Sequence, residues 1–467
     1  MDQNLNQTQR PEHFEPKKYV VHTFGCKVNT YDSGLIQKNM TTNGFTLLNH
    51  VEKNKAEIHV LNTCAVTAEA TKEAVRTIRK IKSLQPFSTI VVTGCSAQVD
   101  TGAFESLPGA DLIVANSHKG ILPDLLNKYF KGELTQKTFK SNIFKKEDLE
   151  MGGGLEQSHT RSFLKIQDGC NSFCTFCIIP YARGKSRSIP ISDLVDRIIQ
   201  LEAANYKEVV LTGVHIGDYE DETSQVKKTL EDLIETILLK TNIPRIRLSS
   251  LEPIEVTERL LSLYKNPRLC PHFHMSIQSA DTEVLKQMKR KYTENQVTEN
   301  LKTIANLIPN VFIGMDVIAG FPTETEEQFE NTYKNLSETP WTRLHVFPYS
   351  ERSGTRAEAL PQIPNHVRKE RAARLRDLSL HRFQSEGLKQ IGTIQSALIL
   401  NKSSKNTDGL TNHYWPVIIP NFLNNEDYKN KFLGIEVLVK ITGFSVENSE
   451  GHLIGEIIQA TESSTVL

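Results

Sequence analysis

Cys170, Cys174 and Cys177 stand in one short loop at C-x-x-x-C-x-x-C spacing, with no fourth cysteine close behind. Three thiolates can hold a cubane iron–sulfur cluster and leave one iron open to a substrate or cofactor, whereas zinc ribbons and ferredoxins use a fourth protein ligand. The loop therefore reads as a reaction centre. Cys26, Cys64 and Cys95 form a dispersed second set. Each ends a strand-like run: Tyr19 to Gly25, Ile58 to Thr63, and Thr89 to Gly94. A single free cysteine behaves as a small hydrophobe, and Cys270, which shares none of these features, is read as a core thiol. Three cysteines at equivalent strand ends, two of them preceded by glycine where backbone must approach closely, are read as a second cluster site.

The elements that must position these thiols follow from hydrophobic period. Between Cys64 and Cys95 a helical pattern places Val66, Ala70, Ala74, Ile78 and Ile81 on one face. Strand, helix, strand at this spacing is the grammar of a parallel sheet, in which ligands sit outside the carboxyl ends of the strands. The charged, glycine-containing stretch Lys145-Lys-Glu-Asp-Leu-Glu-Met-Gly-Gly-Gly154 has linker composition. Beyond it, Ser162 to Gln167 reads as a strand, Asp168-Gly169 as a turn, and the three-cysteine loop follows. Further strands are expected at 209–211, 245–248, 273–278, 311–318 and 343–347, with amphipathic stretches between them such as 281–290 and 324–336. About six βα units close naturally as a partial β/α barrel, with chemistry in the loops at the carboxyl ends of its strands. Those ends carry Thr212-Gly213, Ser249-Ser250, Gln278-Ser279 and Ala319-Gly320. From Gly392 onward, short apolar runs separated by polar, Asn-rich connections read as a small antiparallel β-barrel. The expected fold is α/β in three domains: 17–135, a linker at 136–157, 158–390, and 391–467.

The chain has 467 residues, 55 Lys+Arg against 55 Asp+Glu, and zero net charge, so no bulk field announces a nucleic-acid partner. No apolar run approaches the roughly 20 residues that span a bilayer. Seven cysteines without a secretory signal argue for reduced thiols used as ligands, and a cytosolic location is expected. Basic residues gather locally. Arg161, Lys165, Arg183, Lys185 and Arg187 flank the three-cysteine loop; Lys286, Lys289, Arg290 and Lys291 crowd one helix end; Arg368, Lys369, Arg371, Arg374 and Arg376 share another helix. RNA is the economical anionic partner, and its binding is expected to lean on the helix carrying Arg368 to Arg376. The terminal segment carries five Lys, no Arg and eight acidic residues from Gly392 onward, which is a poor composition for gripping phosphates.

Nearly the whole chain, from Tyr19 to Ile458, resembles the methylthiotransferases, radical S-adenosylmethionine (SAM) enzymes. The resemblance rests on Phe24-Gly-Cys-Lys-Val-Asn29, Asn62-Thr-Cys-Ala-Val-Thr67, Lys165-Ile-Gln-Asp-Gly-Cys170, Phe176 before the last loop cysteine, Cys177-Ile-Ile-Pro-Tyr-Ala-Arg-Gly184 and His345-Val-Phe-Pro-Tyr-Ser350. It implies two 4Fe-4S clusters: one held by Cys170, Cys174 and Cys177 that binds SAM, and an auxiliary one held by Cys26, Cys64 and Cys95. It further implies a SAM cleft lined at Gly213, Gln278 and Gly320, with the two glycines leaving room for the methionine and adenine portions, and a terminal barrel of the TRAM type. Gly25-Cys-Lys-Val-Asn29 and Leu211-Thr-Gly-Val-His-Ile-Gly217 are similar to the branch that acts on N6-threonylcarbamoyladenosine in tRNA. The implied reaction places a methylthio group on C2 of that adenine. One SAM supplies a 5′-deoxyadenosyl radical and a second the methyl group, with an electron donor and a sulfur source as further partners. Alternative substrates are isopentenyladenosine in tRNA and an aspartate of a ribosomal protein; a non-catalytic iron–sulfur or zinc RNA-binding protein is the alternative of another class.

Overall fold

Residues Ile58–Thr63 and Thr89–Gly94 are buried at every position, which an apolar run achieves only as a strand covered on both faces. They lie at the centre of a parallel sheet in a computed structural model that describes residues 18–149, 153, 160–223, 225–400, 408–422, 429–447 and 450–460. The chain divides into two units, one formed by 1–153 with Ile178–Gly184, the other by 154–177 with 185–467.

In the first unit, β1 (Lys18–Thr23), β2 (Thr46–Leu47), β3 (Ile58–Thr63), β4 (Thr89–Gly94), β5 (Leu112–Ala115) and β6 (Thr138–Phe139) form a parallel sheet in the order β2-β1-β3-β4-β5-β6. Alternate residues feed two cores. Tyr19, Ile58, Val60, Val91 and Leu112 pack with Ile36, Met40 and Leu126 on one side, while Leu61, Ile90, Val92 and Ile113 pack with Ala74, Ile78 and Phe104 on the other. The helix expected between Cys64 and Cys95 is Ala68–Leu84, started by Thr67, whose side chain accepts the Ala70 N–H. Its buried stripe is Thr71, Ala74, Ile78 and Ile81. Val66 lies ahead of the helix and is exposed, because the chain is still leaving Cys64 there. Part of the expected linker is also structured: β6 pairs with β5 along Ile113↔Thr138 and Val114↔Phe139. Residues 150–152 and 154–159 of that linker lie outside the described residues.

The second unit carries β7 (Arg161–Lys165), the short antiparallel pair β8 (Gln167–Asp168) and β9 (Arg187–Ser188), then β10 (Glu208–Thr212), β11 (Arg245–Leu248), β12 (Ser250–Leu251), β13 (His272–Gln278), β14 (Phe312–Ala319) and β15 (Arg343–Pro348). Hydrogen bonding orders β7, β10 and β11 in one parallel sheet and β12 to β15 in a second. The ladder breaks at Ser249, between β11 and β12, so the six expected βα steps form an open arc of parallel strands. Asp168, expected in a turn, lies in β8, and the turn falls to Gly169 with φ +77°.

The C-terminal segment closes as a five-stranded barrel of β16 (Ile394–Ile399), β17 (Gly409–Thr411), β18 (Pro416–Ile418), β19 (Glu436–Glu447) and β20 (Glu450–Ala460), ordered β16-β17-β18-β20-β19. It packs against the amino ends of the arc's strands. Trp415 stacks on Phe383 at 4.8 Å and meets Phe312, the first residue of β14, at 5.1 Å. Burying each such ring contributes about 1.5–3 kcal/mol. Beside the rings, the fully buried carboxylate of Glu208 binds Arg245 Nε at 2.9 Å and Arg247 Nε at 3.1 Å, and these arginines donate to the Leu410 and Asn412 carbonyls of the barrel at 3.0 and 3.2 Å. The three-cysteine loop lies at the other, carboxyl end of the same strands. Among the described residues no helix is long and apolar enough to cross a membrane.

Candidate functional site

In the first unit, Cys26, Cys64 and Cys95 follow three adjacent strands. Thr63 pairs with Gly94 in register, so Cys64 and Cys95 leave the sheet side by side, and Cys26 sits at the start of the helix Lys27–Thr42 next to them. Gly25 (φ +91°) brings backbone so close that a Cβ there would stand 2.6 Å from Cys64 Sγ. Cys64 and Cys95 are buried and Cys26 is exposed. Burial, with the nearby Cys95 and Cys26, pushes the Cys64 thiol up to about 12. A thiolate at Cys64 is therefore unfavourable here without a cation beside it, as expected of a ligand that ionises on binding metal. Asn116 Nδ2 approaches Cys95 Sγ at 3.7 Å. Ala182 of the short helix Ile179–Arg183 and Ile178 just before it pack against Ala65 and Cys95.

In the second unit, the loop from Cys170 to Cys177 is fastened at both ends. Ser172 N–H donates to Cys170 Sγ at 3.4 Å, and Cys177 N–H to the Cys174 carbonyl at 3.0 Å. Thr175 donates through N–H to the Met288 carbonyl at 3.1 Å and through its hydroxyl to that of Gln287 at 2.9 Å. Phe176 packs with Val284, Met288, Phe321 and Tyr349. Charged partners reach two of the thiols. His215 Nδ1 lies 3.8 Å from Cys170 Sγ and 3.0 Å from Asp218, and its Nε2 rests against Glu255. Burial alone would lower the His215 pKa, but Asp218, Cys170 and Glu255 hold the proton, and the pKa is raised. Arg290 Nη1 lies 3.3 Å from Cys174 Sγ. Burial disfavours the thiolate at both sulfurs; at Cys170 the contacts from His215 and the Ser172 N–H prevail and lower its pKa, whereas at Cys174 burial outweighs Arg290 and raises it.

A single tetrahedral zinc ion with Zn–S near 2.3 Å needs sulfurs about 3.8 Å apart. Among the described residues, the one group of Cys, His, Asp or Glu ligand atoms within 4.8 Å of one another is Cys170, His215 and Asp218. Neither three-cysteine set closes that tightly in this structure. Sequence reasoning missed His215, Asp218, Glu252, Glu255 and Arg290 as a group. The available signal was their placement in loops after β10, β12 and β13.

The positions expected beside SAM are at carboxyl strand ends, with qualified roles. An added Cβ would meet Gln167 at 2.9 Å from Gly213, and Arg368 at 2.7 Å from Gly320, so protein packing already requires both glycines. Gln278 closes β13 at φ +65°, after a register shift. Along β13, the partly exposed His274, Ser276 and Gln278 alternate with buried Phe273, Met275 and Ile277, and His274 binds Asp316 at 2.9 Å. Cys270 is buried at 1% exposure, as a core thiol.

Four of the expected RNA-binding cations, Lys165, Arg183, Arg368 and Arg371, are buried. Arg371 is 5% exposed and its guanidinium meets Glu324 and Glu326 at 2.8 Å each; Arg368 pairs with Glu351 at 2.9 Å, and Arg374 with Glu330 at 2.6 Å. Arg368, Arg371 and Arg374 fasten that helix to the arc, which leaves Lys369 and Arg376 as its exposed cations. Arg183 belongs to the first unit, where its guanidinium and the Lys119 ammonium share Asp32 at 3.0 and 2.9 Å. Lys165 is spent on Asp168 at 3.0 Å. Lys185, Lys286, Lys289, Lys291, Lys369 and Arg376 remain exposed, and Lys286, Lys289 and Lys291 lie together. Those three belong to the segment whose carbonyls fasten Thr175.

Comparison with known proteins agrees with this architecture. Residues 164–336 match the radical SAM superfamily, and residues 18–115 match the uncharacterized protein family UPF0004. The chain is 37% identical over 420 residues to the threonylcarbamoyladenosine tRNA methylthiotransferase MtaB of Rickettsia prowazekii, spanning 89% of this chain and 94% of that one. It is 34% identical to the protein of the same name from Bacillus subtilis, over 89% of this chain and 93% of that one, and 30% identical to the tRNA-2-methylthio-N(6)-dimethylallyladenosine synthase of Geobacillus kaustophilus, over 96% and 85%. The radical SAM methyltransferase TsrM of Kitasatospora setae shares the fold with a TM-score of 0.54, at 14% identity over 73% of this chain and 77% of that one. A three-cysteine loop at the carboxyl end of an open β/α arc defines the class, a radical SAM transferase. Within it, the chain belongs to the methylthiotransferases that modify tRNA, in the MtaB branch.

Proposed function

We propose that this protein adds a methylthio group to C2 of N6-threonylcarbamoyladenosine in tRNA, using one SAM to generate a radical and a second as methyl donor. The observation that carries the reading is the pair of three-cysteine sets, each at carboxyl strand ends, in a chain matched to the methylthiotransferases over most of its length. Cys170, Cys174 and Cys177 would hold the cluster that binds SAM, and Cys26, Cys64 and Cys95 the auxiliary cluster. A cluster with an open iron supplies the electron that cleaves SAM, and so the radical that an unactivated C2–H bond requires. The chain's own residues prepare the sites. Gly25 and Gly94 admit the backbone beside Cys64, Phe176 seats the loop, and Gly213, Gln278 and Gly320 shape the strand ends where SAM would lie. The MtaB relatives, matched over most of the chain, favour the threonylcarbamoyl substrate over the dimethylallyl one.

Mass spectrometry of nucleosides from host tRNA, with and without the gene, tests the substrate. Loss of 2-methylthio-N6-threonylcarbamoyladenosine on deletion, restored by the wild type and not by Cys174→Ala, is expected. Loss of the isopentenyl derivative alone would overturn the substrate.

Exposed lysines beside the loop are the phosphate contacts in place of the internal Arg368 and Arg371. Lys289→Glu with Lys291→Glu is expected to weaken tRNA binding and to flatten its log–log salt dependence by about 0.7–0.9 per lost contact. An unchanged slope would remove these lysines from the interface.

A further inference from the structure

A closed chain of side chains joins Cys170 to Cys174 from outside their own loop. His215 Nδ1 lies 3.8 Å from Cys170 Sγ, and His215 Nε2 lies 3.5 Å from Glu252 Oε1. The same Oε1 accepts from Arg290 Nη1 at 2.7 Å, and that nitrogen lies 3.3 Å from Cys174 Sγ. Glu252 thus anchors the Arg290 guanidinium against Cys174, while His215 is held by nearer carboxylates, Asp218 at Nδ1 (3.0 Å) and Glu255 at Nε2. Glu252 is itself fixed, since its backbone N–H donates to the Glu255 carboxylate at 2.7 Å. Glu255 reaches His215 because Gly217 has no Cβ to overlap it. Arg290 is held further by Tyr292, whose hydroxyl accepts from Nε at 2.8 Å. The Glu252, His215 and Arg290 side chains are 11%, 12% and 6% exposed, so little water screens them.

We propose that Glu252 is a positioning residue: it holds the Arg290 guanidinium against the Cys174 sulfur, and this clamp raises the reduction potential of the cluster that Cys170, Cys174 and Cys177 carry. The inference rests on the loop being the ligand set for that cluster. Hydrogen bonds and positive charge at the ligating sulfurs favour the more negative, reduced cluster and raise its potential.

The test uses the full chain with Cys26, Cys64 and Cys95 changed to alanine, so that one cluster is observed. Iron analysis comes first. About four irons per chain support the loop as ligand set; none would sink that reading before any potential is measured. Redox titration followed by electron paramagnetic resonance then addresses the clamp. Arg290→Met is expected to shift the midpoint to a more negative value, and Arg290→Lys to keep it near the parent. Glu252→Gln separates positioning from simple charge. Removing a negative charge would by itself raise the midpoint, whereas releasing the Arg290 donor lowers it. A lowered midpoint with iron retained supports the clamp, and a raised or unchanged one overturns it. Should Glu252→Gln lose its iron, the Arg290 pair decides: a lower midpoint in Arg290→Met than in Arg290→Lys supports the clamp, and equal midpoints refute it.

Discussion

Gly25→Ala is expected to remove about four of roughly eight irons per chain and to abolish methylthiolation, while SAM cleavage to 5′-deoxyadenosine persists. Two effects coincide at this position. Its φ of +91° is strained for any residue with a Cβ, and the added carbon would stand 2.6 Å from both Cβ and Sγ of Cys64. The adjoining sheet cannot yield, since β3 and β4 are buried throughout, so the thiol must move out of line with Cys26 and Cys95. Iron analysis with a 5′-deoxyadenosine assay on the purified variant reads both outcomes. Full iron content with normal product would show that Cys64 tolerates displacement and is not a ligand.

Glu208→Gln is expected to destabilise the second unit by about 3–5 kcal/mol, because Arg245 and Arg247 are left as buried cations with a neutral partner. Arg247, Arg245 and Arg161 together overcome complete burial and hold the Glu208 carboxyl well below the usual range. A depressed carboxyl stabilises the fold fully above its unfolded value of 4.5, and that contribution is lost as pH falls toward its folded value. Thermal unfolding should therefore show a large wild-type advantage at pH 7 that narrows progressively below about pH 4.5. The arginines also grip the barrel carbonyls, so hydrogen exchange in the variant should rise along β17. A variant as stable as the wild type at pH 7 would mean that water replaces the lost charge.

Local pattern made the parallel sheet, the arc and the terminal barrel legible. Strands at 58–63, 89–94 and 245–248 lie where their apolar runs placed them, since covered strands write their burial directly into sequence. The strand ends at Cys26, Cys64 and Cys95 were equally readable. Partnerships across long separations were not. Arg183 reaches Asp32 across 151 positions and Arg245 reaches Glu436 across 191, so a run of basic residues looks the same whether it faces solvent or a buried carboxylate. Arg368 and Arg371 were expected outside for that reason. β6 and β17, of two and three residues, are too short to carry a period, and their pairing partners define them. The group around Glu252 went unassembled because its members come from three separate loops, and only Arg290 stood out, as part of a basic cluster.

Anaerobic iron and acid-labile sulfide analysis of the purified chain and its two triple-alanine variants tests the central claim most directly. Two clusters predict about eight irons and eight sulfides in the wild type, and about four of each when either Cys26, Cys64 and Cys95 or Cys170, Cys174 and Cys177 are replaced. Zinc without sulfide, or iron that disappears with one set and is untouched by loss of the other, would contradict it.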